Sequence, residues 1–315
     1  MMRTATSLCA AMLTALACVI PSSAPVFAAT KRTPPTAIPS KVKIQVNLVN
    51  VPFTVTNKKH QLVTGLTQND FRVYEDGQPQ TIQFFSQQTN LPLRIGVMID
   101  TSNSIAGRLT FEQEAAIDFL DETLRSGKDK AFVVGFDQEP QVVQDYTDDT
   151  GLLAQAIQSL RSGGATALYD ALYYVCKEKL MFPTTQPYLR RVIVLVSDGR
   201  DNESEHSRDE ALSMAERAQA TIYAISTNRS GLETRGDKVL QYLASETGGR
   251  AFHAFQASDL AESFKEISRE LSSQYSLAYY PTNAARDGTF RTITIRVGKK
   301  GLHVRARRGY FAPSG

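Results

Sequence analysis

Four short runs constrain this chain more than any other feature. "LRIGVMI" (93–99), "KAFVVGF" (130–136), "RVIVLVS" (191–197) and "ATIYAIS" (220–226) are apolar at almost every position. A strand with one wet face alternates apolar and polar residues. A near-continuous run belongs to a strand covered on both faces. Helical stripes lie between the runs. Phe111, Ala115, Phe119 and Leu120 make one, and Leu153, Ala156, Ile157 and Leu160 make another. Leu168, Leu172, Val175 and Cys176 also share a helical face. "RAFHA" (250–254) reads as a last short strand, and Leu260, Phe264, Ile267 and Leu271 mark a closing helix. Strand and helix alternating in this way predict an α/β fold: a doubly wound, mainly parallel sheet with helices on both faces. "EPQVVQDY" (139–146) follows the second run too closely for a crossover helix, so it predicts an antiparallel edge hairpin.

The flanks read as all-β. Val42, Ile44, Val46 and Leu48 alternate, and then Val49, Val51, Phe53 and Val55 alternate in the opposite phase, which predicts a bulge or break near Leu48–Val49. In "FRVYEDGQPQTIQFF", Asp76-Gly77 separates two alternating runs and signals a hairpin. After residue 275 come "YSLAYYP", "GTFRTITIRV" and "GLHVRARRGYF", the last two joined by "GKKG". Each flank has about three strands, which is marginal for independent stability. The economical expectation is one small β-sandwich built from both flanks, with the α/β unit inserted into it; two separate β modules are the alternative.

The first 28 residues read as a secretory signal peptide: Arg3, an apolar stretch, then small residues Val26 and Ala28 before a cut. Residues 29–41, rich in Pro, Thr and Lys, read as a linker. The β segments then span 42–90 and 273–315, around an α/β domain at 91–272. An alternative reading takes "LTALAC" as a lipobox with Cys18 lipidated. No later stretch of about 20 apolar residues follows, so no transmembrane segment is expected after the leader. The expected location is outside the cytoplasm: periplasm, cell envelope or medium. Two of the three cysteines, Cys9 and Cys18, leave with the leader, and Cys176 reads as a buried inert thiol. A formal charge of +3 without a basic, aromatic-interleaved run argues against nucleic acid.

In an open α/β sheet, ligands bind at the carboxyl ends of the strands. Asp100, Ser102 and Ser104 lie just past the first run, in "IDTSNSI". Asp198 lies past the third, in "SDGRDN", and Thr166 follows Gly163-Gly164 just before a helix. Two carboxylates and three hydroxyls thus arrive at one rim, with no His or Cys among them. Hard oxygen donors suit Mg²⁺ first, then Mn²⁺ or Ca²⁺, and disfavour Zn²⁺. Asp201 and Glu203 read as surface charges, and His206 and His253 as structural. Arg305, Arg307 and Arg308 read as a solvated strand face, and "YSLAYY" as strand packing.

"DTSNS", "GGAT" and "SDG", in this order and context, closely resemble von Willebrand factor A domains with a metal-ion-dependent adhesion site, over about residues 91–272. The flanks resemble those of bacterial VWFA-related proteins of the acidobacterial type. The resemblance implies a Rossmann-like A-domain fold. It implies that Asp100, Ser102, Ser104, Thr166 and Asp198 are the metal set, with Thr166 and Asp198 acting directly or through water. It also implies capture of an Asp or Glu from a protein partner through the cation. In some A domains the closing helix, here 257–272, shifts when the site engages a ligand. The alternatives are a structural envelope component whose metal only stabilises, and a Mg²⁺-dependent hydrolase. Against the hydrolase, the position two after Asp100 is Ser102 rather than a second acid, and no general base, GxSxG or P-loop appears. The expectation is therefore that the chain is not an enzyme.

Overall fold

The computed structural model describes residues 48–87, 90–105, 107–181, 189–228 and 230–314. The leader, the lipobox at Cys18, the linker and residues 42–47 of the first alternating run lie outside the described residues, so the bulge or break expected near Leu48–Val49 falls at their edge.

The chain runs β1 (Val49–Asn57), β2 (Phe71–Glu75), β3 (Gln78–Gln80) and β4 (Ile82–Ser86), then β5 (Leu93–Asp100), α1 (Leu109–Thr123), β6 (Lys130–Phe136), β7 (Pro140–Thr147) and α2 (Thr150–Ser159). It continues with α3 (Leu168–Tyr174, widening into a π-helical turn over Val175–Leu180), β8 (Arg190–Ser197), α4 (Arg208–Arg217), β9 (Ala220–Ser226), α5 (Arg235–Glu246), β10 (Ala251–His253) and α6 (Ala257–Ser273). The last strands are β11 (Tyr275–Tyr279), β12 (Phe290–Val297), β13 (Leu302–Ala306) and β14 (Gly309–Phe311).

The central sheet has the order β10-β9-β8-β5-β6-β7. Its strands are parallel except β7, which pairs antiparallel with β6 at the edge, as the short connection requires. Both faces are covered. Val97, Ile99, Val133 and Val194 pack with α1, α2 and α6 on one side. Met98, Phe132, Val134 and Leu195 pack with α3, α4 and α5 on the other. Adjacent strand residues point to opposite faces, so each apolar run feeds two cores at once. The sheet is doubly wound.

The other strands form two four-stranded sheets, β13-β1-β11-β4 and β14-β12-β2-β3. Each takes strands from both ends of the chain. Between them lie Val51, Phe53, Phe71, Val73, Tyr275, Leu277, Tyr279 and Ile293. Phe53 stacks on Tyr275 with ring centroids 5.4 Å apart. Residues 90–274 leave from β4 and return into β11, and those two strands pair antiparallel.

Four details differ from the sequence reading. Asp76 and Gly77 do turn a hairpin, with φ of 47° and 80°, but β2 pairs with β3; Ile82–Ser86 crosses to the other sheet. "GLHVRARRGYF" is two strands in two sheets rather than one, because the chain changes sheet at Arg307–Arg308. Of those arginines only Arg308 is exposed, and all three are engaged. Arg305 pairs with Glu270 on α6, buried Arg307 donates to the Asn50 carbonyl and to Gln219, and Arg308 pairs with Glu216 and Glu246. They clasp the sandwich to the α/β unit. Finally, Phe111 is 51% exposed, while Glu112 beside it is fully buried. Burial of Ala116 sets the phase of α1, since Ala116, Phe119 and Leu120 stand four, seven and eight residues after Glu112.

Candidate metal centre

Asp100 ends β5, which has β6 on one side and β8 on the other. Asp198 follows the end of β8 by one residue, so the two carboxylates stand on neighbouring strand ends. The loops that carry the hydroxyls are laced to them through the backbone. Thr101 N–H donates to the Phe136 carbonyl at 2.8 Å, and Gly163 N–H donates to the Thr101 carbonyl at 2.7 Å. Asn103 N–H donates to the Gly164 carbonyl at 3.2 Å. Thr166 is held in turn by the loop after Asp198: its N–H donates to Asn202 Oδ1 at 2.9 Å, and its carbonyl accepts from Asn202 N–H at 3.0 Å and Glu203 N–H at 3.2 Å. Asp100, Ser102, Ser104, Thr166 and Asp198 therefore sit on three interlocked loops at the carboxyl rim of the sheet.

Asp100 is fully buried, and both its oxygens are engaged. Oδ1 accepts from Ser102 N–H at 2.9 Å, and Oδ2 accepts from the Ser197 hydroxyl at 2.7 Å. Burial pushes its carboxyl up; the hydrogen bonds from Ser102 and Ser197 pull back, and the charge of Asp198 pushes again in the raising direction. Ser102 Oγ and Ser104 Oγ lie 3.0 Å apart. Asp198 Oδ1 accepts from Arg200 N–H at 3.0 Å, and Arg200 Nε lies 3.5 Å from Oδ2. Gly199 is required where it stands. Its φ is +73°, and a Cβ there would come within 2.3 Å of the Gly236 carbonyl.

The donor set fits a hard cation. Among the described residues no three acidic, histidine or cysteine side chains cluster closely enough to hold an ion. An oxygen set of two carboxylates and three hydroxyls matches Mg²⁺, Mn²⁺ or Ca²⁺ chemistry. Beside it lies a cavity of about 220 Å³ whose lining includes Ser104, Arg108, Asp198, Arg200, Asn228 and Thr234.

Residues 95–200 match the family model of the von Willebrand factor type A domain. This part of the chain is a von Willebrand factor type A domain. No curated protein matches the sequence. Among solved structures, a von Willebrand factor type A protein from Catenulispora acidiphila aligns with a TM-score of 0.51 at 13% identity, covering 86% of this chain and 75% of that one. Proximal thread matrix protein 1 from the mussel byssus aligns at 0.50 and 16% identity, over 70% of this chain and 50% of that one. The PilB minor pilin from Streptococcus sanguinis aligns at 0.47 and 15% identity, over 59% of this chain; the match spans 62% of the pilin's length. At these identities the likeness is one of fold.

Several residues that build the A-domain rim escaped the sequence reading. Ser197, in "VSDG", orients Asp100. Asn202, in "GRDN", ties down Thr166. Asp201, read as a surface charge, accepts from Tyr169 N–H at 3.2 Å and from the Ser204 hydroxyl at 2.6 Å, at the start of α3. Glu203 is exposed. His206 stacks on Tyr173 and lies 2.7 Å from Asp170. Glu112 was hidden because Phe111, first in the expected α1 stripe, faces outward, although Ala115, Phe119 and Leu120 are buried as expected. Cys176 is buried, and burial pushes its thiol up.

Proposed function

We propose that this chain is an exported protein-binding module in which a divalent cation at the rim of the A domain captures an acidic side chain of a partner. The reading is supported above all by the three interlocked loops, which bear two carboxylates and three hydroxyls at one strand-end rim. Asp100, Ser102, Ser104, Thr166 and Asp198 would hold the ion, Mg²⁺ first, with Mn²⁺ or Ca²⁺ also compatible. A bound cation would supply positive charge and a coordination position open to a carboxylate. The protein's own part is orientation. Ser197 and the Ser102 amide fix Asp100, and Arg200 partly neutralises Asp198.

A second reading, in which the cation only stabilises the rim, is favoured by depth. Asp100, Ser102 and Thr166 are 0%, 2% and 5% exposed, so Ser104 and Asp198 are the members nearest solvent. One experiment separates the two readings: pull-down from a cell-envelope extract with Mg²⁺, with chelator, and with Asp100→Ala. Capture lost in both latter arms supports the binding module. Capture that persists while the variant has lost its cation supports the stabilising role. Binding rather than catalysis is proposed, and turnover of phosphate esters by the purified chain with Mg²⁺ would overturn that.

Among the described residues no helix is long and apolar enough to cross a membrane. Export to the periplasm, envelope or medium is part of the proposal and rests on the leader sequence.

A further inference from the structure

Glu112 sits in the first turn of α1 with no exposed surface, and neither carboxylate oxygen has a hydrogen-bond partner. A buried carboxylate without a partner is costly and calls for a reason. Its surroundings offer one. Its N–H donates to the carbonyl of Arg108, and Arg108 lines the same cavity as Ser104 and Asp198. The charged groups acting on Glu112 are Arg108, Asp100 and Asp198. Exposed Arg200 lies further out, against Asp198.

The charge census makes the case. Arg108 is itself buried, its guanidinium donating to the carbonyls of Thr227 at 2.5 Å and Ala254 at 2.8 Å. Its guanidinium charge offsets one of the two aspartates. With Glu112 neutral, Asp100, Asp198 and Arg108 together carry one negative charge, the exposed Arg200 being left to solvent. With Glu112 ionised the set carries two, the complement of a divalent ion.

We propose that Glu112 is the third carboxylate of the cation site, supplying charge from the first turn of α1 rather than a direct bond to the ion. The proposal rests on the cation-site reading above. Without the ion, burial first and the charges of Asp100 and Asp198 next hold the Glu112 carboxyl up at about 8, against the pull of Arg108, so it keeps its proton at neutral pH. Entry of the ion reverses that balance, and the proton leaves to solvent. Glu112 is thus a positioning residue: it sets affinity and pH dependence without joining the coordination shell.

The test is calorimetric titration of the full chain with Mg²⁺, in two buffers of different ionisation heat, at pH 7 and pH 9. The wild type should release close to one proton per ion at pH 7 and very little at pH 9. Glu112→Gln should release little at either pH and bind Mg²⁺ about tenfold or more weakly. A merely structural glutamate would change the cation-free melting temperature and leave the proton count alone. Wild-type affinity and proton release in Glu112→Gln would overturn the proposal. Should that variant not fold, the wild-type series still decides, because cation binding at pH 7 without proton release overturns it equally. A wild type that binds no Mg²⁺ would sink this inference and the cation reading together. One that binds Mg²⁺ with proton release but captures no partner would sink only the binding module.

Discussion

Tyr223 on β9 donates a hydrogen bond of 2.7 Å to Glu270 on α6, and both side chains are buried. The same carboxylate accepts from Thr54 of β1 at 3.1 Å and pairs with Arg305 of β13. One side chain on the closing helix thus holds the central sheet and the sandwich together. Burial and the Glu270 charge hold the Tyr223 hydroxyl well above its usual range.

Removing that carboxylate strands a guanidinium and two hydroxyls. Glu270→Ala should destabilise the fold by about 3 kcal/mol or more, read as a shift of the urea midpoint. A change below about 0.5 kcal/mol, the range of ordinary surface substitutions, would show that the latch carries no stability.

The latch also bears on the closing helix. Gln274 alone separates α6 from β11, and β11 lies between β1 and β4. A sliding α6 would drag β11 out of register with Val49–Phe53. Amide exchange along residues 257–273 should therefore be the same with and without Mg²⁺. Loosening of the helix on cation binding would show that this A domain does transmit a shift.

Glu112 gives a pH dependence whose sign can be worked out. An unfolded glutamate ionises near 4.5, and the folded one near 8. Between those values the folded state holds a proton that the unfolded state has lost, so cation-free stability falls as pH rises from about 4.5 to 8. Urea midpoints in chelator should drop across that window, and Glu112→Gln should flatten the drop. An identical slope in the variant would refute the assignment.

Asp129 behaves in the opposite sense. Burial raises its carboxyl, but hydrogen bonds from Arg125 and the Leu93 N–H outweigh burial and hold it below the usual range. Its contribution is present above the unfolded pKa and is lost as pH falls through the folded one. Asp129→Asn should lower stability at pH 7 by about 2 kcal/mol and remove part of the acid-induced loss below about pH 4. An unchanged acid limb would place that loss elsewhere.

Gly199→Ala should act on the rim, because its Cβ collides with the Gly236 carbonyl. Mg²⁺ at a hundred times its Kd should stabilise the wild type by about 2.7 kcal/mol. The variant should lose most of that gain in a thermal melt. A full Mg²⁺ response in Gly199→Ala would mean that the turn tolerates the shift.

The α/β core was legible because runs such as 191–197 feed two hydrophobic faces and leave little choice of fold. The placement of Asp100, Thr166 and Asp198 at one rim was legible because strand ends and the paired glycines at 163–164 fix where the chain emerges. Glu112 was not, because an exposed phenylalanine beside a buried acid inverts the usual pattern, and only the packing of Ala116 sets the phase. Asn202 and Arg108 act through backbone amides and carbonyls, and Ser197 through the carboxylate of Asp100, 97 positions away; such partners leave no mark in local periodicity. The arginines at 305–308 looked solvated because their acids lie far away in sequence, at Glu216, Glu246 and Glu270.

The interleaving of the sandwich sets a timetable for its assembly. β1 is made early, yet its neighbours β11 and β13 arrive near the end of synthesis, and Arg307 reaches the Asn50 carbonyl across 257 positions. The central sheet can close on itself from residues already at hand, while Val49–Asn57, which carries no charge, waits unpaired. Such a strand is a hazard for intermolecular pairing until the last forty residues have been delivered. A chain cut short near its end would lose β13 and leave one side of β1 bare.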